Sequence, residues 1–574
     1  MSSKATTACT ADRPLRRRVN FTGRPRPRVI AICLDGYEYS LARTMIDAGE
    51  LPAMRALAAR SARFLLSHGA DLRTGLAGEH VASGLSASDA GRWAAVHFDA
   101  ETYAVWQQGT SLLPFPARYD FRTVVFDPPY FDLANAPNVR GLVSWGAYDP
   151  GVPPHSRPLD LLEELSERFG PYPAQEWIYA TPWSSVERSR RMGERLAAGV
   201  RLRARAARWL LAERLRDWQL ALVTVSEAHS AIEGLWHGVD PDHPLHTVAS
   251  SKAAGEGVRG VYRAVDELIA GLGAALPDAT CVVFSMHGMG ANGSDAASMF
   301  LLGELLYRHA FKMSLHESGN FAVLPSGVPL LAESQTWRSA VRASFARPWA
   351  VRHNGLARRL TQIFDPRRRR ASPVSAPQRQ HCGPAVLGLD WMPLTAYRDY
   401  WPDMPAFALP SFYDGRVRIN LRGREAHGKV DVADYRKTVA EIAALLQECV
   451  DPVSGGRVVN QIEYTHRANP LDVGETEADL VVVWDHAPLG LAHPRLGTIG
   501  PVPYRRTGGH TGEYGFAYFA GADIVAVDGG LASAYDVVPS IVDLLGGTTH
   551  ELSGESLFHG SRYEVRALPS GALS

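Results

Sequence analysis

The chain has 574 residues and equal numbers of basic and acidic side chains, 60 of each, so its formal net charge is zero. This balance excludes a general electrostatic attraction to nucleic acid or to an anionic membrane surface, and the lack of any apolar run of about 18 residues excludes a membrane-spanning helix. The five cysteines are widely spaced and follow no disulfide pattern, which predicts a reducing compartment and therefore a cytoplasmic location.

The N-terminal segment, residues 1–28, is rich in arginine and proline and has no apolar core of the kind found in signal peptides. It is predicted to be a disordered basic arm. The boundaries predicted after it are a folded domain at 29–554, insertions in that domain at about 90–219 and 292–386, a disordered loop at 365–380 and a C-terminal tail at 555–574.

Apolar runs that end abruptly in polar residues predict strands buried on both faces. The runs and the polar residues after them are 29–34 with Asp35, 220–225 with Glu227, His229, Glu233 and His237, and 281–285 with His287. A later polar segment, 508–512, contains His510. Because ligands of open α/β sheets bind beyond the carboxyl ends of the strands, these residues are predicted to meet in one site.

Helical patterns alternate with the predicted strands. The clearest helices are predicted at 41–60 with a break at Leu51-Pro52, and at 188–218, 250–276, 435–450 and 537–545. This alternation predicts an α/β domain built on a mostly parallel central sheet with helices on both faces. Trp391, Tyr397, Trp401 and Phe412 are predicted to be core residues, with the wall of an apolar pocket as the alternative.

Scattered Asp, Glu and His side chains at strand ends suit divalent cations such as Zn²⁺ or Mn²⁺ better than Mg²⁺. His229, Glu233 and His237 are spaced four residues apart, so a helix here would present all three on one face. A single histidine is more often a surface or packing residue than a ligand. The position of these three directly after a predicted buried strand favours ligation.

Thr74 lies beside a glycine in the loop at 71–75. A threonine in such a loop is usually a helix cap. The alternative is a hydroxyl nucleophile activated by a metal, which lowers the pKa of the alcohol and withdraws charge from the attacked phosphorus or sulfur.

Several segments, taken together, resemble the alkaline phosphatase superfamily, in particular its bacterial type I phosphodiesterase and phosphohydrolase/phosphomutase-like branch. The segments are Leu34-Asp35-Gly36, Ile46 to Pro52, Thr74 to Leu85, Ile419 to Glu425, Asp451 to Gly455, Ala478-Asp479-Leu480, Gly509-His510 and Asp536 to Ser540. The resemblance covers most of 29–554 and is weak in the two insertions. It implies an alkaline-phosphatase-like sheet with inserted cap regions.

The same resemblance implies a metal-dependent phosphoester hydrolase or phosphoryl transferase that acts on a small molecule. Thr74 would be the nucleophile, because its spacing to Ser83 matches the spacing in the family. One or two divalent ions are implied, Zn²⁺ first and Mn²⁺ as the alternative. No nucleic-acid or membrane partner is implied.

Two departures from the family pattern concern the metal ligands. Relatives have an acid where this chain has Met286, and a thioether cannot replace a carboxylate on a hard cation. The position formed by Asp35, Thr74 and His287 is therefore short of one ligand. His229 and Glu233 exchange the order of acid and histidine, and with His510 they form the other expected position.

Glu227 and His237 are alternative ligands for that second position. Two further readings of the scaffold stay open: transfer of a sulfuryl or phosphonyl group, and a degenerate protein that binds a ligand without catalysis. The Met286 replacement motivates the second of these.

Overall fold

The computed structural model describes residues 27–146, 152–321, 331–332, 335–345, 386–465, 467–485, 488–559 and 564–565. Residues 1–26 of the predicted arm, the whole predicted loop 365–380 and residues 566–574 of the predicted tail lie outside this description. Within the described ranges, no helix is both long enough and apolar enough to span a bilayer.

The described chain contains twenty-two strands and twelve α-helices. The strands are β1 (Val29–Leu34), β2 (Ala62–Ser67), β3 (Val96–Phe98), β4 (Val105–Gln108), β5 (Thr123–Phe126), β6 (Val139–Val143), β7 (His155–Arg157), β8 (Leu220–Val225), β9 (Thr280–Ser285), β10 (Gly288–Ala291), β11 (Val386–Gly388), β12 (Ala406–Leu409), β13 (Gly415–Ile419), β14 (Val459–Tyr464), β15 (Leu480–Trp484), β16 (Leu491–His493), β17 (Gly497–Ile499), β18 (Gly508–Gly512), β19 (Gly515–Ala520), β20 (Val527–Ser533), β21 (Phe558–His559) and β22 (Glu564–Val565). The helices are α1 (Tyr39–Asp47), α2 (Pro52–Ala59), α3 (Ala77–Ser83), α4 (Ala87–Ala90), α5 (Leu161–Phe169), α6 (Val186–Trp209), α7 (Glu227–Leu235), α8 (Ser251–Ala275), α9 (Leu302–Phe311), α10 (Trp337–Ala343), α11 (Tyr435–Gln447) and α12 (Val537–Leu544).

Nine strands form the central sheet, in the order β20, β2, β19, β9, β1, β8, β5, β6, β7. Only β19 and β7 run antiparallel to their neighbours, so the predicted mostly parallel α/β sheet is confirmed. Alternate residues of β1 enter two different apolar clusters: Ile30 and Ile32 pack under α6 and α8, and Val29 and Ala31 pack under α3 and α12. Helices therefore cover both faces, as predicted.

The segment 90–219 contributes β5, β6 and β7 to the central sheet, while its β3 and β4 form a separate sheet with β11. Its strands have only three to five residues each and lie between proline-rich loops. Such short apolar runs carry too little periodicity to be recognised in the sequence. In three dimensions β5 pairs in parallel with β8 and continues the sheet.

A second, four-stranded sheet in the order β12, β13, β15, β14 has its own apolar core. Tyr397 and Trp401 are fully buried in this core, which agrees with their prediction as packing residues. Trp391 and Phe412 pack against it from partly exposed positions. This sheet and α11 form a lobe beside the central sheet.

A buried ion cluster fixes the helix α7, which begins directly after β8. Arg203 of α6 is completely buried, and its guanidinium lies 2.9 Å from Asp127 Oδ2 and 3.0 Å from Glu227 Oε1. The Tyr172 hydroxyl donates a further hydrogen bond of 2.7 Å to Glu227 Oε1. Glu227 is the first residue of α7, so this cluster ties the start of that helix to α6.

We expect Arg203→Met to lower the free energy of unfolding by about 3–5 kcal/mol, because two buried carboxylates would lose their counter-charge. Chemical denaturation measures this loss. Arg201→Met is the matched control on the same helix: Arg201 pairs with Glu267 at a half-exposed position, and such pairs contribute about 0–1 kcal/mol. Equal losses in the two variants would contradict the structural role of the cluster.

Two histidines remote from one another are buried without charge. Burial lowers the pKa of His237 to about 3 and that of His316 to about 4, against about 6.5 in an unfolded chain. Below pH 6.5 these two histidines therefore bind protons in the unfolded state but not in the folded state. Each group then lowers the stability by up to about 1.4 kcal/mol per pH unit as the pH falls toward 4.

We expect His316→Phe to reduce the loss of stability between pH 6.5 and pH 4.5 by that amount per pH unit, as measured by urea denaturation across this range. Phenylalanine keeps the ring contact with Phe300, whose centroid lies 5.0 Å away. His550→Phe, at a position 74% exposed, should leave the pH dependence unchanged. A His316→Phe protein with the wild-type pH dependence would refute this account.

Candidate metal centre

The central strands bring their carboxyl ends to one edge of the sheet. In the parallel register Leu34 of β1 pairs with Val225 of β8, and Cys33 pairs with Phe284 of β9. Asp35, the start of α7 and His287 therefore emerge side by side. Gly36 adopts a positive φ of 61°, and a Cβ on it would lie 2.8 Å from the Cβ of His229, so only glycine permits this approach.

Three side chains converge at this edge: His229 and Glu233 from α7, and His510 from β18. Their ligand atoms all lie within 4.8 Å of one another. Nε2 of His229 is 3.0 Å from Nε2 of His510 and 3.2 Å from Oε1 of Glu233. His510 reaches the cluster because β18 pairs antiparallel with β10, the strand that follows His287.

The hydrogen bonds of His229 determine which of its nitrogens carries a lone pair. Nδ1 lies 3.0 Å from Oδ2 of Asp35, and a carboxylate only accepts, so the proton is assigned to Nδ1. Nε2 then faces a second imidazole nitrogen and the Glu233 carboxylate. A lone pair on Nε2 is satisfied there by a proton on Nε2 of His510 or by a metal cation.

The donor set fits a divalent metal of the zinc type. Two imidazole nitrogens and one carboxylate are a common catalytic zinc set, and bonds of about 2 Å place ligand atoms roughly 3 Å apart. Oε2 of Glu233 is buried and has no hydrogen-bond partner among the described residues. A cation in contact with this carboxylate would satisfy that oxygen.

Glu233 contacts a buried arginine, Arg506, that also pairs with the buried carboxylate of Asp295. The Arg506 guanidinium contacts Oε1 of Glu233 and also makes two hydrogen bonds, of 2.7 and 2.9 Å, to the Asp295 carboxylate. Arg505 donates a further bond of 2.9 Å to Asp295. This network restrains Glu233 through Oε1 and leaves Oε2 without a hydrogen-bond partner among the described residues.

Asp35 contacts the cluster through His229. Burial acts to raise the pKa of Asp35, but its electrostatic interactions with His229 and His287 and its hydrogen bond with His229 outweigh burial, so the pKa is lowered. Asp35 is thus an ionised acceptor that orients the His229 ring, as carboxylates behind metal-bound histidines do. The sequence predicted Asp35 as a direct ligand of the other position.

His287 stacks on His510 with ring centroids 4.2 Å apart, and its Nδ1 lies 3.0 Å from the carbonyl oxygen of Gly288. The neighbouring Met286 is 4% exposed and packs in the apolar cluster with Phe284. Within the described ranges, Asp35 and His287 join no group of three candidate ligands. The shortage of a ligand at this position stays a prediction.

Glu227 and His237, the two alternative ligands, lie away from the cluster. Glu227 is engaged by Arg203 and Tyr172 in the buried ion cluster. His237 belongs to the short helical turn after α7, where its Nε2 lies 3.1 Å from Oγ of Ser250. The regular four-residue spacing ends at the end of α7, so His237 does not share a face with His229 and Glu233.

Thr74 ends a short 3₁₀ turn, and Gly75 follows it in a left-handed conformation. The Thr74 hydroxyl donates a bond of 2.7 Å to the carbonyl of Asp71 and accepts one of 3.1 Å from the amide of Leu76. A Cβ at Gly75 would lie 2.5 Å from Cε2 of Tyr413, so the Tyr413 ring packs against the threonine loop. The hydroxyl of Tyr413 lies 3.0 Å from Nε2 of His510.

Sequence reasoning missed Tyr413, Arg506 and Asp295. Arg506 stands four residues before His510, and a basic residue so near a predicted ligand is a signal that could have been used. Tyr413 follows Phe412 in an aromatic segment that was assigned to packing, and nothing in its spacing separates it from a core residue. Its role depends on the placement of the second lobe.

No protein-family model matches the chain, and no curated protein matches it in sequence. The solved structures to which the chain is similar include three proteins. They are a phosphonoacetate hydrolase from Sinorhizobium meliloti (13% identity, 91% of this chain and 96% of that chain, TM-score 0.47), murine ectonucleotide pyrophosphatase/phosphodiesterase 5 (10%, 92%, 97%, 0.42) and the alkaline phosphatase PafA (12%, 93%, 99%, 0.49).

At these identities and TM-scores the similarities carry no argument about the reaction, which rests on the residues described above. One of these three structures is an alkaline phosphatase, and the sequence motifs resemble the superfamily of that name.

Proposed function

We propose that this protein is a metal-dependent phosphoester hydrolase or phosphoryl transferase that acts on a small-molecule ester. The observation that carries the proposal is the convergence of His229, Glu233 and His510 on one point at the carboxyl edge of the sheet. The Thr74 loop adjoins this point through the Tyr413 ring. A cation site beside a buried hydroxyl suits transfer of a phosphoryl group to that hydroxyl.

His229 through Nε2, His510 through Nε2 and Glu233 through its carboxylate would hold one divalent ion, Zn²⁺ first and Mn²⁺ as the alternative. When bound, such an ion polarises a phosphoryl oxygen and stabilises negative charge on the reacting oxygens. Burial lowers the pKa of His510 well below 6.5, and the nearby His287 and His229 lower it further. The His510 ring is therefore neutral near pH 7, the state in which it can ligate.

Thr74 would act as the nucleophile. Its oxygen would form a bond to phosphorus while the bond to the ester oxygen breaks, and the hydroxyl proton would pass to that oxygen, which leaves as an alcohol. Water would then attack the phosphothreonine, the bond between phosphorus and the Thr74 oxygen would break, that oxygen would take a proton from the attacking water, and phosphate would be released. The amide of Leu76, which donates to this oxygen, would stabilise the charge that develops on it.

A cytoplasmic location is part of the proposal. Cys33, Cys281 and Cys449 are free thiols, and Cys281 and Cys449 are buried within the packed chain. Free buried thiols support a reducing compartment. Phosphate esters of metabolites occur there as substrates.

We expect zinc-loaded protein, freed of excess metal, to retain nearer one Zn²⁺ than two per chain. His510→Ala should weaken zinc affinity more than the roughly 10- to 100-fold lost with an outer partner of a ligand, as measured by competition with a chelator. His550→Ala, at an exposed position, is the control. Equal zinc affinity in the wild type and His510→Ala would refute the assigned centre, and the same titration with Mn²⁺ ranks the two ions.

We expect Thr74→Ala to lower turnover of an aryl phosphate by at least about 10³-fold while zinc content stays unchanged, because the attacking oxygen is lost. Initial rates on an aryl phosphate monoester, an aryl phosphate diester and an aryl sulfate provide the measurement. Thr44→Ala is the matched control, since the Thr44 hydroxyl also donates to a carbonyl one turn earlier but on an exposed helix.

Three outcomes would change the assignment. Wild-type turnover by Thr74→Ala would exclude the covalent mechanism. Turnover of the sulfate alone would favour sulfuryl transfer. Tight binding of phosphate by the zinc-loaded wild type without turnover of any of the three esters would favour a degenerate binding protein.

A further inference from the structure

Tyr413 reaches the candidate metal centre from the second lobe. It stands two residues before β13, and its ring lies between two parts of the site. On one side the ring packs against Gly75, directly after Thr74. On the other side its centroid lies 4.4 Å from that of His510.

The Tyr413 hydroxyl and the metal would use the same atom of His510. The hydroxyl lies 3.0 Å from Nε2 of His510, the nitrogen that also faces His229 and Glu233. An imidazole nitrogen has a single lone pair, so Nε2 cannot accept from the phenol and ligate a cation at once. Occupation of the centre therefore releases the hydroxyl from its partner.

The backbone and the ring of Tyr413 are both restrained. Its backbone carbonyl accepts a bond of 2.6 Å from Oγ of Ser298, and that serine accepts one of 2.8 Å from the indole of Trp484. The contact with Gly75 blocks movement toward the threonine loop. A released hydroxyl stays beside His510, on a ring that also packs against the residue after Thr74, and a phosphoryl group bound to both Thr74 and the centre would lie near it.

We propose that Tyr413 is a catalytic residue whose hydroxyl, once its bond to His510 is displaced, donates a hydrogen bond to a non-bridging oxygen of the bound phosphoryl group. This inference rests on the proposed function. The hydroxyl is a neutral donor, and its bond strengthens as charge develops on the phosphoryl oxygens in the transition state. Before a metal binds, the same hydroxyl contacts Nε2 of His510 and so competes with the metal for that nitrogen.

The test uses Tyr413→Phe in the full-length chain, with Zn²⁺ and inorganic phosphate as the two probes. Removing the hydroxyl should weaken phosphate binding to the zinc-loaded protein by about 10- to 100-fold, the loss that accompanies a hydrogen bond to a charged group. It should leave zinc affinity unchanged or up to several-fold tighter, because His510 loses a competing donor. Isothermal titration measures the first quantity, and chelator competition measures the second.

Tyr397→Phe is the matched control. It removes a buried tyrosine hydroxyl from the same lobe, one that donates a bond of 2.6 Å to Glu304, and it should change neither affinity. On an aryl phosphate, Tyr413→Phe should lower kcat more than it raises KM, because the bond is strongest in the transition state.

The opposite results are distinguishable. If Tyr413→Phe weakens zinc and phosphate binding together and also lowers the thermal midpoint, Tyr413 only supports the fold and the inference is wrong. If Tyr413→Phe binds phosphate and turns over ester like the wild type, the inference is wrong while the proposed function stands. If the zinc-loaded wild type neither binds phosphate nor cleaves esters, the proposed function fails and the inference falls with it.

Discussion

Two imidazole nitrogens, Nε2 of His229 and Nε2 of His510, lie 3.0 Å apart beside a buried carboxylate. Each can accept a hydrogen bond, so the contact needs either a proton on one of the two nitrogens or a metal cation bound by both. The rest of the site is arranged around this requirement, since residues 281 positions apart in the chain meet there.

The helix α7, which carries two of the three candidate ligands, is unusual because all nine of its residues are buried. Three of them are ionisable, so the helix needs partners for charge along its length. Arg203 satisfies Glu227 at its first residue, Asp35 satisfies His229, and Arg506 contacts Glu233. The ligands are thus held by charged neighbours on several sides, which limits their movement.

The site lies where two lobes meet. The central sheet supplies the strand ends, α7 and the loop of Thr74, while the second lobe supplies Tyr413 just before β13. Packing of the Tyr413 ring on Gly75 joins the Thr74 loop to that lobe. Since the ring also contacts His510, a shift of one lobe against the other would disturb both the Tyr413 hydroxyl and the candidate ligands.

The sequence by itself determined the features that depend on local signals. Alternation of apolar runs with helical patterns was sufficient for the mostly parallel sheet, and Pro52 marked the break between α1 and α2. Polar residues directly after buried strands identified Asp35, His229 and His287 as neighbours, because the carboxyl ends of parallel strands share one edge. These signals lie within a few residues of the structures that they specify.

Only the tertiary structure decided which charged groups pair. Asp35 contacts His229 and lies outside the three-ligand group, Glu227 is taken by Arg203, and Met286 packs in an apolar cluster. The short strands β5 and β6, at 123–143, belong to the central sheet because β5 pairs with β8. Their own residues do not predict this pairing. A buried charge takes its partner from whichever element packs beside it, and that neighbour is set by long-range packing.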